Sequence, residues 1–226
     1  MGNIIKIKKE ELSNQNLGNF LYEKDDELYF CDRLDSVMFV SKEDYKSNGE
    51  NIVLSMDFRS YVQKIMHICS SMSKKPSLLF INCTPKQPVE ILNMVDGKHT
   101  KNYTFVSELK NDEDFEIFNK ETSITCVQTG VIPALKRLVE TRSGSVPQND
   151  VFVFFDEPEW YNNLNQHPGI DTILSVCRSR KIYFVFNFIN SSKFIEKYGE
   201  DVYQTMSNYC PIKFICDNDK VVDIQF

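Results

Sequence analysis

Residues 151–156 read VFVFFD, an unbroken apolar and aromatic run closed by a carboxylate, with Glu157 and Pro158 directly behind it. A strand with one wet face alternates apolar and polar residues. A strand without alternation needs cover on both faces, and the interior of a parallel sheet flanked by helices provides it. Pro158 lacks a backbone donor and ends such a strand. The run therefore predicts a central strand, with acids emerging at its carboxyl end, where open α/β sheets bind their ligands.

The rest of the chain supplies matching elements. Strand-like runs at NIVL (51–54), SLLFIN (77–82), YTFVSEL (103–109), SITCVQ (123–128), KIYFVFNF (181–188) and IKFIC (212–216) alternate with helical stretches near 58–72, 91–95, 131–142, 171–177 and 192–207. Residues 220–226, KVVDIQF, read as a terminal ribbon. Strands alternating with helices predict an α/β fold with a doubly wound, mainly parallel sheet. Before residue 51 the rhythm is different: IIKIK, FLYEKDDELYFC and VMFV are short extended runs broken by charged turns. Two domains are expected, a small β-rich flap over residues 1–50 and the α/β domain over 51–226.

The chain has 226 residues and a 42% hydrophobic fraction, enough to build one substantial core. A net charge of −6 excludes a broad basic surface, so net charge does not support DNA binding and any contact with DNA must be local. Seven cysteines form no C-x-x-C pair and mostly sit in apolar runs, as expected for buried thiols in a reducing cytoplasm. No apolar run approaches the roughly 20 residues of a membrane span. His67, His99 and His167 are scattered without a second ligand at metal spacing.

Four segments of the carboxyl-terminal third occur in a telling order: VFVFFDEP, LSVCRSRKIYFVF, SSKFIEKYGEDV and SNYCPIKFICDND. Together they resemble the TraG-type coupling proteins of conjugative (type IV) DNA transfer. In that family an apolar strand ends in Asp-Glu, a helix ends in Arg-Ser-Arg before the next strand, and a Tyr-Gly helix leads to Asn-Cys, a strand and Asn-Asp. Upstream, SLLFINCTPKQPVEI is similar to the family's strand ending in Asp-Pro-Lys-Gly-Glu, with Pro85, Lys86 and Glu90 retained. The resemblance implies a RecA-like, P-loop NTPase-like domain.

It also implies site residues. Asp156 and Glu157 correspond to Walker B, where Asp156 holds Mg²⁺ beside bound nucleotide and Glu157 orients water. Arg178 and Arg180 match arginines near a subunit boundary that reach a neighbour's phosphate. Each has a plainer alternative: the acids cap a strand end, and the arginines complement a helix dipole. The place of the Walker A loop falls on SMDFRSYV (55–62), which lacks glycine, carries Asp57 and offers Arg59 as its cation. Such a segment has no glycine-lined nest for phosphate. Ile189 or Asn190 stands near the family's polar sensor.

The resulting expectation is a degenerate, non-hydrolysing domain without a cofactor. It would act as a binding or assembly module in conjugative DNA transfer or another mobile-element process. Its expected partner is a protein, an intact RecA-like motor subunit or a relaxase, and its expected place is the cytoplasm, peripheral to a membrane secretion complex. A face carrying Asp156, Arg178 and Arg180 together is the expected docking surface. Two alternatives remain open: an active ATPase with ATP and Mg²⁺ at an atypical or partner-completed phosphate site, and an ABC-type or structural protein suggested by DEPEWYNNLNQHP.

Overall fold

A computed structural model of the chain describes residues 4–11, 19–24, 26–31, 35–41, 77–81, 104–106, 123–127, 131–143, 149–156, 164, 169–188, 190–217 and 220–225. Their strands are β1 (Ile4–Lys8), β2 (Asn19–Lys24), β3 (Glu27–Cys31), β4 (Val37–Ser41), β5 (Ser77–Ile81), β6 (Thr104–Val106), β7 (Ser123–Val127), β8 (Val151–Asp156), β9 (Ile182–Phe188), β10 (Ile212–Asp217) and β11 (Lys220–Gln225). Their helices are α1 (Val131–Thr141), α2 (Ile170–Cys177), α3 (Ser191–Tyr198) and α4 (Glu200–Tyr209).

Eight strands form one sheet in the order β11-β10-β4-β9-β8-β5-β7-β6. All neighbours pair parallel except β10 with β11, which close as an antiparallel ribbon. The VFVFF run lies in the interior, as its lack of alternation requires, with β5 on one side and β9 on the other. Val151 to Phe155 are all at most 1% exposed, and every residue of β9 is buried. Fully burying one such side chain stabilises by about 1.5–3 kcal/mol.

The two faces of these strands divide the core. Val153, Phe155, Phe184, Phe186 and Phe188 pack with Leu135 and Leu138 of α1, Ile173 and Leu174 of α2, Phe194 of α3 and Met206 of α4. Phe152, Phe154, Tyr183 and Val185 alternate to the opposite face and are equally buried. The expected mixed α/β architecture with a mainly parallel sheet is therefore present. The expected strand at 51–54 and the helices near 58–72 and 91–95 lie outside the described residues.

The flap boundary requires correction. The small sheet is antiparallel, ordered β1-β3-β2, and its strands end at Cys31. The VMFV run, expected within the flap, instead forms β4 in the large sheet between β10 and β9. The reason is the one that governs β8: Val37, Met38 and Phe39 do not alternate, are 5%, 0% and 2% exposed, and need cover on both faces.

A second difference concerns the helix expected over 192–207, which is two helices broken at Gly199. Its N–H donates to the Ile195 carbonyl at 2.8 Å and ends α3. Its φ of 93° then turns the chain into α4, a backbone conformation that favours glycine.

Candidate functional site

The carboxyl edge of the sheet is built around the end of β8. The register pairs Asp156 with Asn187 of β9, and Asn187 in turn pairs with Phe39 of β4. Asn187 is 3% exposed in a strand whose other residues are apolar or aromatic. Burying an amide is costly without hydrogen bonds, so its presence beside a strand-end acid marks this point of the edge. The chain leaves β8 towards β9 on one side, whereas it leaves the adjacent β5 towards β6 on the other. Such a reversal is a topological switch point, where the crevice outside the strand ends receives ligands in open α/β sheets.

Asn187 was not singled out by sequence reasoning, although it interrupts the run KIYFVFNF and that interruption was a readable signal. Asn190, placed near a polar sensor, caps α3: its Oδ1 accepts from the Lys193 N–H at 2.8 Å. Glu157 and Ile189 lie outside the described residues, as does the segment 55–62. Asp156 offers the hard oxygen donor that Mg²⁺ prefers. Among the described residues, no group of three or more His, Cys, Asp or Glu is arranged to hold a metal. The described part of the edge thus supplies one ligand type and no complete cation site.

Arg178 and Arg180 stand at the other end of the sheet. They form a 3-10 turn after α2, and Lys181 follows it in a left-handed conformation with φ 55° just before β9 begins. Because Val151 pairs with Ile182 and Asp156 with Asn187, the arginine turn and Asp156 are separated by the length of β8, about 16 Å at the usual strand rise. The expected docking face carrying all three residues does not exist. A helix that connects two parallel strands runs back to their amino ends, so residues at its end cannot sit beside the preceding strand's carboxyl end.

Both arginines hold their own chain. Arg178 Nη2 lies 3.2 Å from Asp35 Oδ1 and donates to the Tyr209 carbonyl at 3.5 Å, joining α2 to the start of β4 and the end of α4. Arg180 Nη1 donates to the carbonyls of Ser143 at 3.0 Å and Arg142 at 3.4 Å. Arg142, wholly buried, returns a bond from Nε to the Arg180 carbonyl at 2.8 Å and another to the Asn149 carbonyl. Asn149 Nδ2 continues to Ser77 Oγ at 2.8 Å. Burial lowers the Arg142 guanidinium to about 10, against the pull of Asp150 and Tyr183, and leaves it charged at neutral pH.

No family model matches the chain, and no curated protein does. Among solved structures it is similar to a chain from the structure of Drosophila ORC bound to AT-rich DNA and Cdc6, at 13% identity and a TM-score of 0.32. The match covers 75% of this chain and 56% of that one, so the chain spans little more than half of its neighbour's length. A superposition that loose identifies neither a shared fold family nor a shared activity.

Proposed function

We propose that the chain is a RecA-like, P-loop NTPase-like domain that does not hydrolyse ATP and serves as a binding or assembly module in DNA transfer by a mobile element. The observation that carries this reading is Asp156 at the carboxyl end of β8, which borders the switch point with β5 on one side and pairs with buried Asn187 of β9 on the other, in a mainly parallel sheet. The ordered resemblance over residues 151–219 supplies the family. Loss of hydrolysis follows from the missing glycine nest, while Arg178 and Arg180, engaged within their own chain, are not offered to a neighbour's phosphate. The partner, an intact RecA-like motor subunit, docks on the carboxyl edge around Asp156.

A second reading, a working ATPase completed by a partner subunit, is favoured by β4. It is the first strand of the large sheet in the chain, and residues 42–50 leave its carboxyl end with the sequence KEDYKSNGE. Lys46-Ser47 supplies the Lys-Ser pair that ends a phosphate loop, without the glycines that precede it. These residues lie outside the described ones.

Calorimetry of the full chain with Mg-ATP separates the two. The module reading expects no dissociation constant in the micromolar range and no hydrolysis. Micromolar binding abolished by Asp156→Asn or Lys46→Ala would establish the second reading instead. For docking, the probe is the motor subunit encoded by the same genetic element. Its co-purification should be lost with Asp156→Arg and kept with Glu140→Lys, exposed in the last turn of α1 at the opposite end of the sheet. Equal recovery by both variants, or none by the unmodified chain, overturns the module reading.

A further inference from the structure

We draw no further inference here: the strongest candidate, the face of the small antiparallel sheet on which Lys6 and Tyr29 gather around Glu27 beside Lys8, is a partly exposed sheet face, and nothing in the structure shows what covers it.

Discussion

Arg142 and Arg180 each donate a guanidinium hydrogen bond to the other's backbone carbonyl, Arg142 through Nε at 2.8 Å and Arg180 through Nη1 at 3.4 Å. The pair is 38 residues apart in sequence and joins the end of α1 to the turn before β9. Arg142 also reaches the Asn149 carbonyl, so the amino ends of β8 and β9 and the end of α1 share one buried cation. Replacing it leaves acceptors without donors. Arg142→Ala should destabilise by about 2–4 kcal/mol, given roughly 1.5–3 kcal/mol for a bond to a charged group and the cost of an orphaned carbonyl. Denaturant titration checks it; a loss within experimental error would show that water replaces the guanidinium.

Arg178 has a different stake. A cation that merely decorates a helix end is worth a few tenths to about 1 kcal/mol. Its contact is with Asp35, which is 6% exposed, so Arg178→Ala strands a buried carboxylate. The arginine side chain is 43% exposed, and solvent screening tempers the loss to about 1–3 kcal/mol. Adding Asp35→Asn should recover part of the stability. A double-mutant cycle tests this, and strict additivity would refute the pairing.

Gly199 offers a purely conformational test. A Cβ at this position meets nothing within 4 Å, so Gly199→Ala introduces no clash with neighbours. Its φ of 93° with ψ of 153° is nonetheless reserved for glycine. The substitution should cost about 1–3 kcal/mol through backbone strain alone. The melting temperature should fall without any change in near-ultraviolet circular dichroism.

Two buried thiols set an alkaline limit. Burial pushes Cys177 from 9.0 up to about 12, and pushes Cys210 up as well, with Asp35 adding to the effect. The unfolded chain then releases these protons at lower pH than the folded one. The sign follows: their contribution is fully present below about pH 9 and is lost as pH rises towards 12. By pH 10 each thiol should have cost about 1.4 kcal/mol, the equivalent of one unit above its unfolded value. Cys177→Ala with Cys210→Ala will lower stability at pH 8 through lost packing, yet should flatten the decline between pH 8 and 10. An unchanged slope in urea melts at those two values would refute the assignment.

The sequence by itself determined which segments are buried strands and helices, because burial writes itself locally. VFVFF and IYFVFNF do not alternate, and residues 131–142 show helical spacing; β8, β9 and α1 follow. The expectation of one face carrying Asp156 and the arginine turn failed although its correction was readable, since a helix between parallel strands must return to their amino ends. Tertiary structure decided what such patterns leave open. VMFV reads equally as part of a hairpin flap or as a core strand, and only its pairing with β9 and β10 made it β4. Asn187 became a candidate residue through its register with Asp156, and Arg178 became a clasp through Asp35, far away in the chain. Local periodicity reports how much of a segment must leave water. Which strands lie side by side, and which guanidinium reaches which acceptor, depends on long-range chain crossings that no window of sequence contains.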